Sequence, residues 1–194
     1  LLVEKIETKI EEGTLLPDTY YFSRGDSKAE ILNRMQDDRD VLLNDLWENR
    51  DKSIILKSPQ EALILASIVE RETGLSEERP LIANVFLNRL KKNMRLQSDP
   101  TVIYDITGGE DLNRAILQSD LDKDTPYNTY KIRGLPPGPI SNPGRASLEA
   151  VFNPLATKYL YFVAKGTGGH VFSETLEEHN KNVSKWRKIE KSQK

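Results

Sequence analysis

Two glutamates, Glu70 and Glu72, close an apolar run, Ala62–Val69, that only Ser67 interrupts. A carboxyl group at the C-terminal end of an apolar helix meets partial desolvation and the negative pole of the helix dipole. Both disfavour the charged form and raise the pKa. A carboxyl kept protonated near neutral pH is what general-acid chemistry requires. At 100° per residue the two side chains project about 160–200° apart around the axis, so a single site uses one of them. Glu70 stands over Ala66 and Ser67, whose small side chains leave room for a ligand, and this favours Glu70. Glu72 competes, with Leu65 and Ile68 before it at helical spacing. The plain alternative is a solvated glutamate paired with a neighbour such as Arg71.

The surrounding punctuation specifies the helix that carries these groups. Ser58-Pro-Gln-Glu61 reads as a capping box with proline in the first turn. Gly74 stands where a left-handed C-cap is usually placed. A helix apolar nearly all round belongs inside the domain. Before it, an amphipathic helix to about Glu12 leads to a turn and an extended stretch over 13–22. A helix over 28–49 follows, capped by Asp26 or Ser27. Beyond it, residues 78–91 place Ile82, Val85, Phe86, Arg89 and Leu90 on one helical face. Asp99 as N-cap and Pro100 start a further short helix. Residues 147–152 form another, and Thr175-Leu-Glu-Glu178 caps the last, over 175–189. Tyr159–Ala164 and His170–Ser173 flank Gly166-Thr-Gly-Gly169 as a β-hairpin. The fold class is therefore α+β: a helix-rich domain with a small antiparallel sheet and a C-terminal strand–strand–helix unit.

Composition narrows the function. The chain has 28 basic and 30 acidic residues and a net charge of −2, which argues against a general nucleic-acid binder. Lysines and arginines gather only over 181–194, as on a solvated helix face. There is no cysteine, and His170 and His179 lack metal-ligand spacing, so neither a metal site nor a cofactor is expected. No apolar run approaches the ~20 residues of a membrane span.

Other residues are suggestive only in company. Asp99 is a second carboxylate or simply a helix cap. Gln97, Tyr104, Asn128 and Tyr130 mix polar groups with aromatic rings, as sugar-binding clefts do. Gly134–Gly144 holds four prolines, among them Pro136 and Pro137, and three glycines, with Asn142 in the same loop. Such a loop is held in one shape at little entropic cost, which suits the wall of a cleft.

The order of the motifs carries more. Ala66-Ser-Ile-Val-Glu-Arg-Glu-Thr73, Asn84-Val-Phe-Leu-Asn-Arg-Leu90, Met94-Arg-Leu-Gln-Ser-Asp-Pro-Thr-Val-Ile-Tyr104, Tyr127-Asn-Thr-Tyr130, Gly134-Leu-Pro-Pro-Gly-Pro-Ile140 and Asn142-Pro-Gly144 occur in series. Tyr159–Ala164, Gly168–Phe172 and His179-Asn180 follow. From about Glu12 to about Trp186 the chain closely resembles the endolytic murein transglycosylases, the YceG-like family. The resemblance implies a lyase that cuts the MurNAc-β-1,4-GlcNAc bond within peptidoglycan glycan strands and leaves a 1,6-anhydroMurNAc end. It puts the catalytic glutamate on Glu70, with Gln97, Asp99, Tyr104, Asn128, Tyr130, Pro136, Pro137 and Asn142 expected against substrate. It implies residues 21–194 as the catalytic domain and residues 1–20 as an entry segment, with the end of an upstream LysM-like module as one candidate for it. An N-terminal membrane anchor of the full-length protein would place the domain on the extracytoplasmic side of the bacterial membrane. Penicillin-binding proteins and other wall synthases are further candidate partners. A muramidase-type hydrolase using Asp99 and a non-catalytic peptidoglycan-binding scaffold are the alternatives.

Overall fold

A computed structural model describes residues 10–192. The expected N-terminal helix lies almost wholly outside that range. The elements run α1 (Lys28–Glu48), α2 (Pro59–Glu72), a 3-10 turn (Ser76–Glu78), α3 (Arg79–Lys91), α4 (Asp99–Thr107), α5 (Gln118–Leu121) and α6 (Arg145–Phe152). Strands β1 (Tyr161–Ala164) and β2 (His170–Ser173) and helix α7 (Leu176–Ser192) complete the chain. The architecture is the α+β arrangement expected, with two antiparallel strands that pair Tyr161 with Ser173 and Ala164 with His170.

Helix α2 is the axis of the domain. Ala62 to Val69 are all buried, and α1, α3, α4 and α6 pack around them. Ser58 caps α2 by accepting the Glu61 N–H, but Glu61 turns outward to accept the Lys57 N–H, so only half of the expected box forms. The helix ends at Thr73, which is extended, and Gly74 is not left-handed. The expected glycine cap is replaced by the Thr73 hydroxyl, which accepts the Leu75 N–H and starts the turn into α3. At α4 the cap is Ser98 and Asp99 is the first helical residue, one position later than expected. The cap of α1 is Ser27 rather than Asp26, in a full box with Glu30, and the expected box before α7 forms through Thr175 with Glu178.

Two loops are fastened to this core. Ser67, the polar residue of the apolar run, accepts the Ile140 N–H on Oγ at 3.0 Å, and its carbonyl accepts the Ser141 hydroxyl at 3.0 Å. The proline-rich loop is thereby sewn to the middle of α2. Gly13 lies against the same loop with φ +77°, where an added Cβ would come within 2.6 Å of Pro139. Leu16 follows it into the core. On the far side, Asn88 of α3 donates to the Thr157 and Tyr159 carbonyls and fixes the approach to β1.

Replacing Ser67 with alanine leaves the buried Ile140 N–H without an acceptor. Such a loss costs about 1–3 kcal/mol, and urea unfolding of S67A should show a stability decrease of that order.

Candidate active-site cleft

Segments from Glu72 onward converge on a cavity of about 690 Å³, between the C-terminal end of α2, the start of α4, the hairpin and α7. Glu72 lines it, together with Gln97, Asp99 and Tyr130. The Ser98 hydroxyl donates to Glu72 Oε1 at 2.6 Å, and no hydrogen bond to Oε2 occurs among the described residues. Loss of solvent pushes the Glu72 pKa up to about 7; the Asp99 charge adds to the rise, while the Ser98 bond and Arg89 oppose it. Glu72 is thus a carboxylic acid for a large part of its time at neutral pH.

Asp99, exposed on the first turn of α4, accepts the Tyr130 hydroxyl at 2.5 Å. Burial and the Asp99 carboxylate drive the Tyr130 pKa far above its ordinary value, so the phenol stays a donor. Gln97 adopts a left-handed backbone with φ +50°, uncommon for a residue with a side chain. It is held there by its N–H to the Thr129 carbonyl and by the Ser98 N–H to the Thr129 hydroxyl, at 3.1 and 2.9 Å.

Arg89 organises the floor. It is 6% exposed, and its guanidinium donates to the carbonyls of Leu160 at 2.6 Å and Leu96 at 2.7 Å. It also reaches Gln97 Oε1 at 3.4 Å and lies 5.2 Å from the Tyr161 ring centroid. One buried cation therefore ties α3, the strand-like segment before α4 and the chain entering β1. A second pair holds the opposite wall. Glu78 accepts the His170 N–H and contacts the His170 ring, both at 2.7 Å, and those contacts lower the Glu78 pKa despite its burial.

The other expected site residues do not line this cavity. Glu70 lies outside the cavity lining: its Oε2 accepts the Gly144 N–H at 3.0 Å and Oε1 stands 3.7 Å from Arg79. It links α2 to the starts of α3 and α6. Asn128 is buried and structural, donating to the Leu121 and Lys123 carbonyls while its Oδ1 accepts the Tyr130 N–H, which orients Tyr130. Tyr104 packs on Tyr127, ring centroids 4.9 Å apart, away from the cleft. Asn142 clasps the lead-in segment through Glu12 and the Leu15 N–H. Pro136 is buried beside Ile55 and Leu135 in a separate shallow groove, and Pro137 is exposed. The cleft instead gains Arg89, Tyr161, His170, His179 and Trp186. Arg89 left a signal, as a charged residue on an otherwise apolar helical face. Tyr161, His170 and His179 stand in motifs that carry the family resemblance, but their types and spacing gave them no role at a site.

Among the described residues no cluster of three histidines or acidic groups could hold a metal ion, and no helix is long and apolar enough to cross a membrane.

The cleft of this helix-rich α+β domain sets a raised-pKa carboxylic acid near a second carboxylate, the kind of groups that general acid–base chemistry uses. The model of the YceG-like family matches residues 2–185, and the chain belongs to that family. It is 44% identical over 176 residues to a Bacillus subtilis protein named endolytic murein transglycosylase, covering 90% of this chain and 48% of that protein. A Streptococcus pneumoniae protein of the same name is 35% identical over 178 residues, covering 89% of this chain and 32% of the relative. The crystal structure of a yceG-like protein from Listeria monocytogenes superposes with a TM-score of 0.72 at 43% identity, over 87% of this chain and 53% of that one. The chain thus spans about a third to about a half of the length of the curated relatives it matches.

The native state holds the Glu72 proton more tightly than the unfolded chain does. The stability this contributes is fully present below the ordinary glutamate value of 4.5 and is lost as pH rises through about 7. Urea unfolding at about pH 5 and about pH 8 should therefore show a steeper decline for the parent than for E72Q. Carboxyl-carbon NMR should place the Glu72 titration higher in S98A, which loses a bond to the ionised form, and lower in D99N, which loses a like charge.

Proposed function

We propose that this domain is the catalytic unit of an endolytic peptidoglycan lytic transglycosylase and that Glu72 is its general acid. The supporting observation is the Glu72 carboxyl group in the cleft, its pKa pushed up to about 7, whose Oε2 accepts no hydrogen bond among the described residues. The relatives' names supply the reaction class, and the chemistry of that class needs such a group.

Cleavage of the MurNAc-β-1,4-GlcNAc bond requires a proton on the leaving oxygen and relief of charge at C1. Protonated Glu72 donates through Oε2 as the C1–O bond breaks. The resulting carboxylate takes the proton of the C6 hydroxyl of the same muramic residue, whose oxygen bonds to C1. A 1,6-anhydro end forms, the acid is regenerated and no water is consumed. Because the nucleophile belongs to the substrate, proximity replaces a second activating base. Asp99, fixed by Tyr130, sets negative charge beside the developing oxocarbenium ion, and Gln97 offers its amide from a backbone held in place by Thr129.

The biological setting follows from the same reading. The substrate is the glycan strand of the wall, the role is termination of strands during wall assembly, and wall synthases are the partners. Residues 21–194 form the catalytic unit on the extracytoplasmic side. Residues 1–20 lead in from an upstream module and an anchor carried by the longer protein.

Asp99 in the same cavity supports a second reading, a hydrolase that activates water. Product masses separate the two, since hydrolysis adds one water and leaves a reducing end. On purified sacculi, E72Q should lower release of anhydro-muropeptides by about a hundredfold or more. E70Q should keep turnover and lose about 1 kcal/mol of stability with its hydrogen bond to Gly144. The reverse pattern would return the acid to Glu70.

A further inference from the structure

The cleavage chemistry leaves one wall of the cleft unused. Leu176, His179, Asn180, Val183, Trp186 and Arg187 recur every three or four positions on α7, and all line the cavity. Within this stripe His179 is an aromatic polar group between apolar neighbours. Its ring lies nearly flat on Tyr161, with centroids 5.2 Å apart and planes 25° from parallel. Nδ1 is buried without a hydrogen-bond partner among the described residues, while the residue itself lines the cavity. Burial, with the Arg89 charge behind Tyr161, lowers the His179 pKa, so the ring is neutral at neutral pH.

A neutral imidazole carries one N–H and one lone pair. A buried N–H without an acceptor is a rarer and costlier arrangement than an under-used acceptor. The proton therefore belongs on Nε2, and the ring presents a donor to the cavity. Val183 and Trp186, four and seven residues on along the same helix, line the same cavity. A hydroxyl would be matched by the donor alone. An acetamido group is matched twice, its carbonyl by the donor and its methyl by the apolar side chains.

We propose that His179 is a binding residue for an N-acetylated sugar, its Nε2–H donating to the acetamido carbonyl oxygen while the methyl lies against Val183 and Trp186. This assignment rests on reading the cavity as a glycan cleft. It makes the α7 wall the element that distinguishes acetylated from deacetylated sugar units.

Titration calorimetry on the E72Q protein, which cannot turn over its ligand, tests this with two probes, tetra-N-acetylchitotetraose and the glucosamine tetramer. E72Q should bind the acetylated probe more tightly. Adding H179A should weaken the acetylated probe about three- to tenfold, the worth of one neutral hydrogen bond, and leave the glucosamine probe unchanged. H179Q, whose amide nitrogen reaches the Nε2 position, should retain the preference, and H179N, which reaches only the Nδ1 position, should lose it. Should H179A not fold, the contrast between H179Q and H179N decides. Equal weakening of both probes, or unchanged affinity for the acetylated one, overturns the role of His179. If E72Q binds neither probe, the glycan-cleft reading falls and takes this assignment with it.

Discussion

The burial of α2 on all sides is the constraint from which the rest of the domain follows. An apolar helix enclosed by α1, α3, α4 and α6 has no solvent face on which to carry polar side chains. Its functional groups must therefore collect where it emerges, at the C-terminal end. There the backbone carbonyls, the low local dielectric and the turn into α3 act together on whatever carboxylates are present. The helix also needs partners for its one polar residue inside the run, and Ser67 finds them in the proline-rich loop rather than in solvent. The same enclosure that stabilises the fold thus sets the environment of the cleft and anchors the loop behind it.

Around this end, the cleft is assembled from short pieces that have little order of their own. The segment over 95–98 is neither helix nor sheet, yet it carries Gln97 in a left-handed conformation and Ser98 against Glu72. It holds that shape because Arg89 takes its carbonyls on one side and Thr129 takes its amides on the other. A buried arginine is costly unless its donors are satisfied, and here they are spent on the backbone groups that most need fixing. Asn128 plays the corresponding part for Tyr130. Positioning in this cleft is accordingly done by buried polar residues one layer behind those that face the cavity.

This division explains what could be read in the sequence and what could not. Helix α2, the caps at Ser27, Ser58 and Thr175, the hairpin and the helical face of α3 follow from local pattern, and local pattern is what a sequence displays. Gly74 and Asp99 missed their expected cap positions by one residue because neighbouring hydroxyls, Thr73 and Ser98, took the capping hydrogen bonds or the capping place. The opposed directions of Glu70 and Glu72 were legible from helical geometry. Which of them meets the cleft was not, because that depends on where the loops dock. The small side chains at Ala66 and Ser67 were read as space for a ligand, whereas the space beside Ser67 holds the backbone of Ile140 and Ser141. Likewise Asn142 and Tyr104 have the chemistry of a sugar site, but the lead-in segment at Glu12 and Leu15 and the ring of Tyr127 occupy them.

The two glutamates show why one short motif carries two jobs. Glu70 accepts from Gly144 at the start of α6 and meets Arg79 at the start of α3, so it fixes the angle at which α2 leaves the core. Glu72, on the opposite side of the same turn, depends on that angle to reach Ser98 and the cavity. In the proposed chemistry the proton must arrive at a glycosidic oxygen placed to within a few tenths of an ångström. In that proposal Glu70 has the supporting part: its contacts with Gly144 and Arg79 set the angle of the helix end, and a glutamine there keeps enough of that hold for turnover.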